Sequence, residues 1–534
     1  MTADPSVPTL ARSRAAAGEE IDSALPALAW KVLAAVAGLK LLIHLLTNHN
    51  YGIFIDELYY LACSEHLAWG YVDQPPMIAL ITWLVRHTLG DSLPALRLLP
   101  ALAGAGTVWL AGLLAREMGG GRWAQGMAAL SVVAAPLFMF LNTILSMNAF
   151  DSLLVALFTW LLARIARLSV EGREREVLRL WLLAGVVVGI ALLNKITPLF
   201  LGAGLAVGIL VTPERRWLRS SGPWLGGAIA LLLFLPHIVW QVVNDWPTLE
   251  FMANATQIKN RPLSLPAFLG TMALDVNPFG ALLLLAGVAW LLAVRRFRFL
   301  GLALLVALAV IAFKGGKPYY MGPYYPLLFG AGAVAVECWA ERGRWRWLKP
   351  VWPAGAVLLG AISAPMALPV LPIESFIAYQ EWLMGGPPPS SEKKSVGPLP
   401  QHFADMYGHH ELALAVAKVF HELPAAEQPK TAIYGDSYAQ AGAIDFWGPD
   451  LGLPKAVGGQ NSYYLWGPPS PEPEVLIVAG GDEDDLQEIF TEVTLAARVS
   501  HPLAMPWRNN FPIYVCRGAK VKLAEIWPSA KNYQ

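Results

Sequence analysis

AFDSLLVALFTWLLARIARLSVEGREREVLR, residues 149–179, carries the two signals that decide the fold. Residues 149–163 are apolar apart from Asp151 near their start, and Arg164, Arg167, Arg173, Arg175 and Arg179 follow. An apolar stretch of near-spanning length closed by dense cations is how a helix leaves a bilayer on its cytoplasmic side. Comparable runs lie near 28–46, 94–115, 123–140, 180–194, 196–211, 223–241, 276–294, 299–313, 326–340 and 350–370. Together they predict a mostly α, polytopic transmembrane bundle of about eleven helices.

Arginine placement orients the bundle. If the N-terminus is inside, every second connection should be basic. The predicted inner connections besides 164–179 carry Arg116 and Arg122; Arg215, Arg216 and Arg219; Arg295, Arg296 and Arg298; and Arg342, Arg344, Arg346 and Lys349. The predicted outer segments hold only Arg86, Arg97, Lys195, Lys259, Arg261, Lys314 and Lys317. This alternation predicts a cytoplasmic N-terminus, in a bacterial-type inner membrane. The odd helix count puts everything beyond about residue 371 outside.

Composition agrees. Of the 534 residues, 55% are hydrophobic and 15% charged, against about 25% charged in soluble domains. Charges balance at 39 and 39, so no basic face for nucleic acid is implied and none is expected as a partner. Cys63, Cys338 and Cys516 form neither a disulfide framework nor a CxxC metal site. Residues 1–27, with Arg12 and Arg14, lack a signal-peptide core and read as a cytoplasmic tail. Residues 28–371 then form the membrane domain, with an outer loop at 47–93.

Residues 372–534 change character and read as an extracytoplasmic α/β domain. Gly385–Lys394 is Pro-rich and charged. Thr431–Tyr434, Val475–Ala479 and Pro512–Cys516 read as strands, Ser437–Phe446 and Asp482–Thr491 as helices.

Ionisable groups at a membrane edge are functional candidates, because burying them is costly. In the first outer loop, Asp56 and Glu57 follow an apolar run directly. Asp56 either serves as a general base towards a hydroxyl or caps a helix beginning at Leu58. Leu58–Trp69 and Pro76–His87 are amphipathic, suited to the interface plane, with Trp69 and Trp83 at headgroup level. Asp73 sits in the stiff turn YVDQPP. Asp151 is either a second functional carboxylate or a charge favoured by a helix dipole. Lys195, in the Asn194-Lys195 step, either snorkels or faces an anion. AFKGGKPYYMGPYYP, residues 312–326, offers Lys314 and Lys317 with Tyr319, Tyr320 and Tyr324. That set suits a phosphate held by charge-assisted hydrogen bonds, or an aromatic belt with snorkelling lysines. No P-loop, HExxH or GxSxG is present, and His409-His410 has no metal spacing around it.

The order of these features resembles the polytopic glycosyltransferases that take sugars from polyprenyl-phosphate carriers. The resemblance is to the branch of the protein O-mannosyltransferases and lipid A aminoarabinose transferases. It rests on the acidic pair Asp56-Glu57, the turn from Tyr71 to Pro76, and Arg97 at the start of the second helix. Asp151, Asn194-Lys195 and the Lys314–Pro326 segment complete it, so that it covers about residues 30–345. It implies the glycosyltransferase C fold and inverting transfer of a hexosyl or pentosyl group. Asp56, supported by Glu57, would accept the proton of a lipid, glycan or protein hydroxyl. Asp73 and Asp151 would be further site carboxylates. Arg97, Lys195, Lys314, Lys317, Tyr319, Tyr320 and Tyr324 would hold the polyprenyl phosphate. Gln74 stands where the aminoarabinose transferases carry a Lys before the Pro, which argues against aminoarabinose as the sugar. No histidine in 242–275 partners a first-loop acid, so no metal site is predicted and a divalent cation has no ligand set.

Two other readings compete. A multi-pass transporter or lipid flippase also carries many helices with buried charges, but the candidates here cluster on the outer side rather than at a midplane. An outer ligand-binding domain is the other, since residues 435–469, GDSYAQAGAIDFWGPDLGLPKAVGGQNSYYLWGPP, are rich in Gly, Asn and aromatics.

Overall fold

In a computed structural model, which describes residues 25–390 and 392–534, all eleven apolar runs fall on helices. Seven of these helices are long and apolar enough to span a membrane: Trp30–Thr47, Leu93–Glu117, Met147–Val170, Glu174–Asn194, Gly222–Val243, Arg295–Phe313 and Leu348–Ala367. An eighth is reached if Leu265–Asp275 and Asn277–Ala293, bent by 112° at their break, form one span. The chain is a multi-pass membrane protein. The cytoplasmic tail expected at 1–27 lies almost wholly outside the described residues.

The remaining runs are shortened for visible reasons. The 123–140 run breaks into Arg122–Ala134 and Pro136–Leu141. Pro136 cannot donate to the preceding turn, and Ala135 before it is extended, with ψ 120°. Near 276, Asn277 adopts φ +60° and starts the second arm of the bent pair. At the basic end, Met147–Val170 runs further than the apolar stretch. Its Arg167 is buried and paired with Glu117 at 2.5 Å and Glu171 at 2.7 Å.

The chain divides into two compact units. The helical unit comprises residues up to His49, Pro94–Ile238 and Pro262–Val370. Small residues let its helices meet backbone to backbone, the favoured contact where lipid and side chains are equally apolar. A Cβ on Gly204 or Gly208 would stand 2.2 or 2.3 Å from the carbonyl oxygens of Ala303 and Phe299. Gly287 and Gly332 meet Leu328 and Leu283 in the same way. Bulky apolar side chains such as Leu232 and Leu285 are exposed, as lipid-facing positions require.

The sheet unit comprises Asn50–Leu93, Val239–Arg261 and Leu371–Gln534. Its strands are β1 (Thr431–Gly435), β2 (Ala456–Val457), β3 (Val475–Ala479), β4 (Phe490–Val499) and β5 (Phe511–Ala519), in the order β2-β1-β3-β5-β4. β1 pairs in parallel with β2 and β3, while β5 runs antiparallel to β3 and β4. Every residue of the central β3 is buried, which explains its continuous VLIVA run. The helix expected over 482–491 ends at Ile489, and Phe490 opens β4 instead. The helix expected at 437–446 is Tyr438–Trp447, capped by the Ser437 hydroxyl.

Candidate active site

The first-loop helix begins earlier than expected, at Ile55 rather than Leu58. Asp56 therefore lies inside the first turn and does not cap it. Glu57 does that work: its buried carboxylate accepts the Phe54 backbone N–H at 2.8 Å, which satisfies one of the open donors of a helix start. Asp56 is left with a different partner. The Tyr438 hydroxyl donates to its Oδ1 at 3.1 Å.

Asp73 gathers beside it. The YVDQPP turn closes with the Tyr71 N–H on the Gln74 carbonyl at 2.9 Å. Tyr71 is anchored through its hydroxyl to the Cys63 carbonyl at 3.1 Å. Asp73 Oδ1 then accepts the Tyr59 hydroxyl at 2.9 Å. Gln74 is fully buried with its amide towards Cys63 Sγ, so it packs inside the loop. The second interfacial helix is Met77–Thr88.

Burial sets the electrostatics of this pair. It pushes the Asp56 carboxyl up to about 6, against the pull of Lys259 and the Tyr438 hydrogen bond. It pushes Asp73 up to about 7, where Tyr59 opposes the rise and the charge of Asp56 adds to it. Burial thus raises both acids towards the neutral range. Lys259 comes from the Val239–Arg261 segment, within 3.8 Å of Glu392. That segment is tied down where Lys393 donates to the Lys259 carbonyl at 3.0 Å and the Gln257 carbonyl at 2.6 Å. Tyr59, Lys259, Tyr438 and Ser462 were not among the expected site residues. Except for Tyr59 with Asp73, their partners are distant in the chain.

A second polar cluster belongs to the helical unit. Lys195 follows the Glu174–Asn194 helix in extended backbone, and its Nζ donates to Asn148 Oδ1 at 2.5 Å. The same ammonium stands 4.7 Å from the Tyr320 ring centre and 5.4 Å from that of Tyr319. Tyr324 is fully buried and donates to the Thr197 carbonyl at 3.2 Å. Asp151, one turn into the Met147–Val170 helix, is fully buried in the field of Lys195. Thus Asp151, Lys195, Tyr319, Tyr320 and Tyr324 come together as one group. Lys314 is exposed and Lys317 half-buried. Arg97 is fully buried and donates to the Asn48 carbonyl at 3.0 Å, just past the end of the Trp30–Thr47 helix.

The sequence profile of the dolichyl-phosphate-mannose-protein mannosyltransferase family matches residues 73–240. Lipid A galacturonosyltransferase RgtD of Rhizobium johnstonii is 26% identical over 198 residues, which are 37% of this chain. The match spans 40% of that relative's length. The structure is similar to that of ArnT from Cupriavidus metallidurans bound to undecaprenyl phosphate, with TM-score 0.58 and 17% identity. The likeness covers 92% of this chain and 98% of that one. The apo form of the same protein gives TM-score 0.55 at 16% identity, over 91% and 97% of the two chains. The chain has the C fold of that structure.

In this C-fold protein, the profile match begins at Asp73 and takes in Asp151 and Lys195, but ends before Lys259 and the whole C-terminal sheet. Among the described residues, no group of three or more His, Cys, Asp and Glu gathers as metal ligands.

Proposed function

We propose that the chain is an inverting glycosyltransferase that moves a sugar from a polyprenyl-phosphate carrier to a hydroxyl on the outer face of the inner membrane. The observation that carries this reading is the state of Asp56. It is a carboxylate held by a phenol, tuned close to neutrality, beside a second acid of still higher value. An alcohol attacks poorly unless its proton is accepted as the new bond forms. In the reaction, the acceptor oxygen attacks the anomeric carbon and Asp56 takes the hydroxyl proton. The bond from the anomeric carbon to the phosphate oxygen breaks, and polyprenyl phosphate leaves with the electron pair. Phosphate is a good leaving group, so it needs counter-charge rather than an acid catalyst. Within the helical unit, Lys195 with Tyr319 and Tyr320 is a set suited to hold a phosphate.

The carrier assignment is supported by the undecaprenyl phosphate in the ArnT structure. The galacturonosyltransferase relative makes lipid A the first acceptor to try. The test is mass spectrometry of envelope glycolipids and glycoproteins from cells with the gene, without it, and with Asp56→Asn. One sugar should be missing from one acceptor class in the last two strains. Identical glycan profiles in all three would overturn the reading.

A further inference from the structure

In open α/β sheets, ligands are taken at the carboxyl ends of parallel strands, where the strand order reverses. In the sheet unit that edge carries Asp436 and Ser437 after β1 and residues 458–462 after β2. Part of the chain itself sits on these loops. Ser462 Oγ accepts the Val72 N–H at 3.2 Å and lies 2.8 Å from the Tyr59 hydroxyl, which also accepts the Ser462 N–H at 3.1 Å. Tyr59 has one proton to give. Given to Asp73, it leaves the phenol oxygen to accept from Ser462, so the chain of donors runs from Ser462 through Tyr59 to Asp73.

Tyr438 is held as firmly. Its N–H donates to Gln460 Oε1 at 3.0 Å, and its ring lies 4.9 Å from that of Tyr59. One turn on, a Cβ at Gly442 would stand 3.1 Å from the Leu58 carbonyl, so the Tyr438–Trp447 helix lies directly on the Ile55–Glu65 helix. His66 stacks on Trp466 at 4.2 Å, and Lys455 pairs with Glu65 at 2.6 Å. The aromatic-rich 435–469 segment thus takes the first outer loop where such a sheet would take a ligand.

We propose that Tyr438 is a positioning residue through which the C-terminal domain aims the catalytic carboxylate. By occupying Oδ1 of Asp56, its hydroxyl directs Oδ2 to the acceptor proton and favours the ionised form. The proposal rests on Asp56 being the base. The other charged groups that face Asp56 are Lys259, Glu392, Asp405 and Asp73. Lys259 opposes the pull of the three acids, and none of them moves in the variant.

The test is an infrared pH titration of the purified full chain in nanodiscs, without substrate. The carboxyl band lost in Asp56→Asn identifies Asp56. In Tyr438→Phe, which keeps the ring packing, its midpoint should rise by about one pH unit, the size expected for one hydrogen bond to a charge. Turnover at pH 6 should fall about five-fold while undecaprenyl phosphate binding holds. An unmoved midpoint would overturn the positioning role even if turnover fell, since packing alone would then explain the loss. Should Asp56→Asn keep its turnover, the base assignment itself fails, and that outcome is separate.

Discussion

The two polar clusters use the same residue type in opposite ways. Around Asp56 and Asp73, the tyrosines present their hydroxyls: Tyr438 to one carboxylate, Tyr59 to the other. Around Lys195, Tyr319 and Tyr320 present their ring faces to an ammonium. A phenol O–H stabilises and aims an anion. A ring face attracts a cation without taking any of its protons, so the ammonium can still donate to an incoming anion. The acid cluster is therefore aimed by its phenols, while the cation cluster retains donors for a ligand.

The contrast can be broken at its strongest point first. Asp56→Asn keeps the shape and can still accept from Tyr438, but it cannot take a proton. Turnover should fall by about 10²–10⁴-fold, with undecaprenyl phosphate binding unchanged in a titration. Wild-type turnover would reduce Asp56 to a surface acid.

Lys195→Met should show the reverse pattern. Undecaprenyl phosphate binding should weaken by about 10–100-fold, the worth of one hydrogen bond to a charge. The Asp56 titration should stay in place. Equal binding by the variant would leave Lys195 as a link to Asn148.

Stability sharpens the comparison further. The folded value of Asp73 lies above its ordinary 3.8, at about 7. Unfolded chains then release this proton first as pH rises, so the folded state loses stability between those values and regains none above them. Asp73→Asn removes that penalty and still accepts from Tyr59. Its melting temperature should exceed wild type by about 8–16 °C at pH 8, from about three pH units at about 1.36 kcal/mol each, and nearly match it at pH 4. A pH-independent difference would show that Asp73 is not held protonated.

The smallest effect is expected at Lys314. It is exposed, and Lys314→Ala should change carrier binding by less than about two-fold. A loss as large as that of Lys195→Met would return the phosphate site to the sequence reading of 312–326.

What the sequence disclosed was governed by how local each signal is. Apolar runs and their arginines are local, and every run became a helix. β4 was missed because it pairs only with β5, at the sheet edge. Its TEVTLAARV face is largely exposed, so no apolar alternation marks it. Asp56 and Glu57 were both singled out, but the cap fell to Glu57. The helix admits the β-branched Ile55 three residues ahead of the expected start, and only Glu57 then reaches back to Phe54. Lys195 was open between two readings because its tyrosine neighbours lie more than a hundred residues away. Tyr438, Ser462 and Lys259 carry no motif. Nothing in GDSYAQ announces a partner 382 residues upstream.

That separation also orders events during synthesis. The helix carrying Asp56 is made early, and the helix that completes its setting is made 382 residues later. At about 5–20 residues per second, the interval is roughly 20–75 s. Throughout it the nascent chain holds its acid without the phenol that aims it, and a product terminated before residue 438 never acquires one. The hydrogen bond on Asp56 is therefore one of the last features of its surroundings to form.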